Sequence, residues 1–132
     1  MNAPQPAFRV EKRSIGRHSV DIELPFPVSV NAMFGQAPGQ KRFPTADYKT
    51  WQVLAEASIR RQRPRRMSGP VHVTLTYEDR GRADIDNLNK GVLDMLVKQQ
   101  IIEDDRRQIV RSINARWGHA NGVRVQIISA EE

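Results

Sequence analysis

Six carboxylates crowd the stretch GRADIDNLNKGVLDMLVKQQIIEDDRR between Gly81 and Arg107: Asp84, Asp86, Asp94, Glu103, Asp104 and Asp105. They stand in a chain whose formal net charge is +6, with 21 Lys+Arg against 15 Asp+Glu. A basic protein that gathers acids in one place needs a reason, because those acids repel a polyanion. Hard oxygen donors suit Mg²⁺, which binds through one or two carboxylates and keeps several waters. Once held, such an ion replaces repulsion of phosphate with attraction, and it polarises phosphoryl oxygens and activates water. Lys90, one helical turn after Asp86, could hold a scissile phosphate or offset charge as it develops.

Each acid also has a plainer explanation. Asp84 and Asp86 sit where a helix begins, and acids there cap free N–H groups and favour the helix dipole. Asp94 fits a solvated partner of Lys90 or Lys98, and Lys90 fits an intrahelical ion pair. Asp104 and Asp105 lie beyond a helix expected over residues 84–100, which spans about 25 Å at 1.5 Å per residue. Spacing alone does not bring the two pairs together. A return loop, a neighbouring strand or a partner subunit would have to do so.

The elements that position these groups follow from periodicity. Val20, Ile22 and Leu24 alternate with Asp21 and Glu23 as in a half-buried strand, ended by Pro25 and Pro27. GQAPGQKRF reads as a turn-rich loop. Thr45 is a helix N-cap, and Tyr48, Trp51, Leu54, Ala55 and Ile59 form the buried face of a helix stopped by Pro64. Val71, Val73, Leu75 and Tyr77 mark one face of a second strand. Ile85, Leu88, Val92, Met95, Leu96 and Gln99 mark one side of the second helix, with Asp86, Asn87, Lys90 and Asp94 opposite. Two further strands, within RQIVRSINARWG and GVRVQIISA, are joined through Gly118–Gly122. The order is β-α-β-α-β-β in one small α+β domain over residues 19–132, after a polar tail over residues 1–18.

Composition narrows the class. The length of 132 residues allows one self-sufficient core. The absence of cysteine excludes disulfides and thiolate metal sites. No apolar run approaches the roughly 20 residues of a membrane span, and the N-terminus lacks the apolar core of a secretory signal. A cytoplasmic, membrane-free protein is expected. A pI near 10.3 points towards nucleic acid. Arg60, Arg61, Arg63, Arg65 and Arg66, with Arg82 beside the acids, are the candidate phosphate contacts. A solvated basic loop is the bland alternative. Trp51 reads as core, Trp117 as core or interface, and His72 and His119 as neighbours without a catalytic partner.

The ordered set D-I-D-N-L-N-K, then Asp94, then E-D-D followed by Q-I-V resembles the RusA family of Holliday junction resolvases. IELPFPVSVNAMF and FPTADYKTWQVLAEASIR resemble that family's first strand and first helix, so the likeness runs from about Ser19 to Ser129. It implies a homodimer with a mixed sheet and two helices, cutting four-way DNA junctions by paired symmetric nicks in recombination and repair. The implied ion is Mg²⁺, with Mn²⁺ able to substitute. Carried over residue by residue, Asp84, Asp86 and Asp105 are the metal-binding and catalytic acids and Lys90 the catalytic lysine. Asn87 and Asp104 match supporting positions. The tail through His18 has no clear counterpart, and the loop GQAPGQKRF is one that the family varies. Two other readings stand beside this one: a non-catalytic basic nucleic-acid-binding module, and a metal-dependent nuclease acting on other branched DNA.

Overall fold

The computed structural model describes residues 18–130, so all of the polar tail except His18 lies outside the described residues. Six strands and two helices follow in order: β1 (Ser19–Leu24), β2 (Phe34–Gly35), β3 (Phe43–Pro44), α1 (Ala46–Gln62), β4 (Val71–Glu78), α2 (Asn89–Lys98), β5 (Val110–Gly118) and β6 (Val123–Ser129). The expected α+β order holds for the principal elements. The loop GQAPGQKRF adds the small antiparallel pair β2–β3, which propensity did not announce because each strand is two residues long.

The main sheet is mixed, in the order β1-β6-β4-β5. β6 runs antiparallel to both β1 and β4, whereas β5 runs parallel to β4. The last two strands are joined in sequence through residues 119–122 but do not pair. β4 lies between them, and the connection crosses its end, where the Glu78 N–H donates to the Gly122 carbonyl at 2.8 Å. Alternation along each strand separates two faces. Val20, Ile22, Leu24, Val71, Val73, Leu75, Tyr77, Val123, Val125 and Ile127 pack in one core with Trp51, Ala55 and Ile59 of α1 and Val92, Met95 and Leu96 of α2. The other face is polar and open. The domain is therefore two layers, with both helices on one side.

Local chemistry explains the helix ends. The Thr45 hydroxyl accepts from the Tyr48 N–H at 3.2 Å, the expected N-cap. The Trp51 indole N–H donates to the Pro25 carbonyl at 2.9 Å and ties α1 to the exit of β1. Leu54 departs from expectation. It is 53% exposed, because the buried stripe of α1 runs through Tyr48, Trp51, Ala55 and Ile59 and turns Leu54 away from the sheet.

The second helix is shorter than periodicity indicated. Ile85–Leu88 form a 3₁₀ turn and the α-helix covers only Asn89–Lys98. Asn and Asp side chains compete with helical backbone bonds, so three of them between Asp84 and Asn87 favour the tighter turn. At the far end Gln100 takes the left-handed conformation, φ 61°. The Gln100 N–H donates to Val97 O and the Ile101 N–H to Leu96 O, each at 2.9 Å. That is a Schellman stop, and it turns the chain back.

Gly122 has no room for a side chain: a Cβ there would stand 2.2 Å from the Leu24 carbonyl oxygen, at φ +81°. Gly122→Ala should therefore cost more than the roughly 1–3 kcal/mol of a left-handed alanine alone. Gly81→Ala, with a similar φ of +82° and open space around it, should cost only that strain. Urea unfolding of the two variants checks the difference; equal losses would remove the steric contribution.

Candidate active site

All the candidate acids lie on the crossover from β4 to β5. The 3₁₀ turn carries the first pair: Asp84 stands at its N-cap position and Asp86 within it. Both side chains are exposed. The Asp84 carboxylate makes no capping hydrogen bond. Capping thus does not account for it. Among the described residues neither Asp84 nor Asp86 enters an ion pair or a side-chain hydrogen bond.

Lys90 follows on the first turn of α2. Its Nζ lies 3.0 Å from Asp94 Oδ1 and 3.9 Å from Asp105 Oδ2. The hydrogen bond to Asp94, helped by the charge of Asp94 and more weakly by that of Asp105, raises the Lys90 pKa and keeps the ammonium charged. The expected Lys90–Asp94 pair is present. So is the return loop: residues 99–109 bring Asp105 back to the beginning of α2 within one chain. This fold-back is shorter than a 25 Å helix would need, since α2 has only 10 residues.

Asp104 shapes that loop. Its Oδ1 accepts the Asp105 N–H at 2.7 Å and its Oδ2 accepts from Arg106 at 2.5 Å. These partners, the backbone N–H first, hold its carboxyl below the usual carboxylate range. Asp104 therefore orients the residue that meets Lys90.

A support that the sequence reading missed lies beneath. Tyr77 is fully buried, and its hydroxyl donates to Asn89 Oδ1 at 2.7 Å. This bond fixes the junction between the 3₁₀ turn and α2, one residue before Lys90. Burial pushes the Tyr77 hydroxyl pKa far up, so it stays a donor. By alternation alone Tyr77 is one more apolar strand residue. The available signal was that a buried Tyr hydroxyl requires a partner.

The donor set is all-oxygen and solvent-accessible, which fits a hard, hydrated cation needing one or two carboxylates. Among the described residues no three His, Cys, Asp or Glu side chains come close enough to form a closed cage. Asp84, Asp86 and Asp105 are therefore not gathered into one cluster; what the fold brings together is Asp105 and Lys90. The surface here is open, and the clefts of about 420 and 460 Å³ elsewhere are lined by none of Asp84, Asp86, Lys90 or Asp105.

The candidate phosphate contacts are exposed. Arg60 and Arg61 end α1, Arg63 is its C-cap, and Arg65 and Arg66 follow. Arg60 is 3.6 Å from Glu56, and Arg65 bonds the His18 ring. Arg82 is exposed two residues before Asp84. His119 is exposed in the β5–β6 connection, and His72 shares a hydrogen bond with Ser112 at 2.6 Å across the open face. Among the described residues no helix is long and apolar enough to cross a membrane.

A family model described as endodeoxyribonuclease RusA matches residues 25–128. No curated protein matches the chain.

Asn89→Ala should cost about 1–3 kcal/mol, because it strands the buried Tyr77 hydroxyl. Adding Tyr77→Phe should recover part of that loss, which urea unfolding of the single and double variants would show. Strict additivity would mean that the bond does not hold the junction.

Proposed function

We propose, from the premise that the chain belongs to the RusA family of endodeoxyribonucleases, that it cuts four-way DNA junctions by paired symmetric nicks, as a Mg²⁺-dependent homodimer. That family consists of metal-dependent nucleases that hydrolyse DNA, so the chain is an enzyme of that class. The observation that carries the finer reading is the state of Asp84: a helix-start acid that is exposed and makes no capping bond, beside Asp86 and one turn from a charged lysine.

In this reading Asp84 and Asp86 hold the cation, with Asp105 approaching from the return loop, and Mn²⁺ can replace Mg²⁺ in the same oxygen set. The bound ion would supply Lewis-acid polarisation of the phosphoryl oxygen and a more acidic water. Lys90 offers its ammonium to the non-bridging oxygens, where negative charge grows as water adds to phosphorus and an ester oxygen leaves. Asp94 keeps Lys90 charged and positioned until phosphate competes for it. Asp104 keeps Asp105 turned towards Lys90. Asn87, half-buried in the 3₁₀ turn, donates its N–H to the Asp84 carbonyl at 3.0 Å and steadies the backbone between the acids. Arg60, Arg61, Arg63, Arg65, Arg66 and Arg82 supply affinity through phosphate contacts and counterion release.

The homodimer has a physical rationale. A four-way junction has approximate two-fold symmetry, so two like sites meet two like strands and each needs to cut once.

A labelled synthetic junction and its matched linear duplex, incubated with Mg²⁺ or EDTA, test the proposal with wild type beside Asp86→Asn. Symmetric nicks confined to the junction, absent with EDTA and in the variant, are expected. Tight binding without cleavage by wild type would sink it and return the acids to helix-start residues. Equal cutting of duplex and flaps would keep the nuclease and remove the junction selectivity. In a separate titration, neutralising Arg60, Arg61 and Arg63 together should lower the slope of log affinity against log salt by about three. An unchanged slope takes those arginines out of the interface.

A further inference from the structure

The loop GQAPGQKRF takes no part in the site described so far, yet it is built as a braced ribbon. Its ends pair as β2 and β3, with Gly35 opposite Phe43 and Phe34 opposite Pro44. Residues 37–40 close it with a turn of type II pattern. Pro38 and Gly39 are central, Gly39 has φ +73°, and the Gln40 N–H donates to the Ala37 carbonyl at 3.0 Å. Gln36 Nε2 donates to the Gln40 carbonyl, also at 3.0 Å, and ties the tip across. A ribbon fixed in this way has little freedom left to lose on binding.

Successive strand residues face opposite sides, so the ribbon carries one aromatic ring on each. Phe34 faces the domain. Its ring meets Tyr48 edge-on at 5.5 Å, and the Arg42 guanidinium lies 4.1 Å from its centroid. Tyr48 in turn faces Gly91, where a Cβ would stand 3.9 Å from the Tyr48 ring. This stack therefore ends one residue from Lys90. A second 3₁₀ turn, Val30–Ala32, leads into β2 and packs on the turn Ile85–Leu88. The ribbon is thus fastened to both segments that carry Asp86 and Lys90.

Phe43 is on the outward side. Its ring reaches over Gly35, where a Cβ would stand 2.9 Å from the ring tip, and the residue is 46% exposed. Between Phe34 and Pro44 the chain has two cations, Lys41 and Arg42, both exposed, and no acid. An aromatic face flanked by cations on a rigid support matches a nucleobase and its neighbouring phosphates.

We propose that the β2–β3 ribbon is a base-stacking wedge: Phe43 stacks on an unpaired base where the strands of a branched DNA part, and Lys41 and Arg42 hold the phosphates beside it. The inference rests on the branched-DNA reading above and names a contact that tells branch from duplex. In linear duplex both faces of each base are covered, and Phe43 finds none. Freeing one costs about what a single aromatic stack contributes. The contact therefore forms where the stack is already broken. A protein partner fits less well, because one ring amid cations makes no contiguous apolar patch.

A thermodynamic cycle on the full chain tests this, in EDTA so that no cut intervenes. Synthetic four-way junctions carry an abasic site at each nucleotide around the branch in turn. Phe43→Ala should weaken binding of the intact junction about tenfold and leave binding of matched duplex unchanged. One abasic position should weaken wild type by a similar factor, and combining it with Phe43→Ala should add nothing further. Phe43→Trp should hold wild-type affinity, with Phe43→Leu between the two. Gly35→Ala, which pushes the ring aside without touching the core, should behave as Phe43→Ala does. Equal losses on junction and duplex would make Phe43 a general DNA contact and overturn the wedge. Losses that multiply at every abasic position would overturn it too, as would Phe43→Ala binding junctions like wild type. The nuclease reading fails separately: wild type that nicks no junction in Mg²⁺ sinks it, whatever the cycle shows.

Discussion

The site depends on one constraint, the parallel pairing of β4 with β5. Parallel neighbours cannot be joined by a tight turn; the chain must leave one end of β4 and return to the other. Here that crossover is residues 79–109, and it carries Asp84, Asp86, Lys90, Asp94, Asp104 and Asp105. The first pair leaves the end of β4 on a 3₁₀ turn. α2 then covers the sheet, burying Val92, Met95 and Leu96. The Schellman stop at Gln100 reverses the chain, and the return loop climbs back to Lys90 before β5 begins. Asp105 is brought back to Lys90, 15 positions earlier, because the sheet is mixed. Had β5 formed a hairpin with β6 at the far side of the sheet, the return loop would have had no such path.

Much of this was legible in residue types and much was not, for identifiable reasons. Alternation placed β1, β4 and β6, because one face of each is buried and the period of two is strict. Thr45 announced α1, because a hydroxyl three residues before a free N–H does so in any context. The length of α2 was overestimated because periodicity does not register the local competition of Asp84, Asp86 and Asn87 for backbone bonds, nor the left-handed Gln100. Leu54 was misplaced because it borders the true stripe and hydrophobicity alone does not choose between neighbouring faces. Strand pairing was the least legible. β5 and β6 are separated by a short glycine-flanked turn, yet β4 lies between them, a choice made by long-range packing. For the site, the residue types and the fold-back loop could be anticipated. Whether Asp105 would come from the same chain could not, since only the tertiary path decides it.

Electrostatics explains how a basic chain tolerates this cluster. Lys90 serves Asp94 and Asp105, and Arg106 serves Asp104, so three of the acids share two cations. Asp84 and Asp86 have no such partner among the described residues. They are exposed, so solvation makes their charge affordable without one. The acids thus divide into those that shape the loop and those that stand exposed without a partner among the described residues. Exposure also means that their repulsion of DNA is screened until phosphate comes within about a Debye length, roughly 10 Å in 0.1 M salt.

One line of packing connects the open sheet edge with the lysine. Trp117 lies on the edge with its ring 6.0 Å from that of Tyr77. The Tyr77 hydroxyl holds Asn89, and Asn89 precedes Lys90. Contiguity of this kind does not make a switch, which would need an element with two arrangements of similar energy. Tyr77 has no such freedom: it is fully buried, its ring meets Phe26 edge-on at 6.2 Å, and its one polar atom is bonded. The arrangement therefore works as a brace. Strand β4 sets Tyr77, Tyr77 sets the start of α2, and the start of α2 sets where Lys90 can meet Asp105.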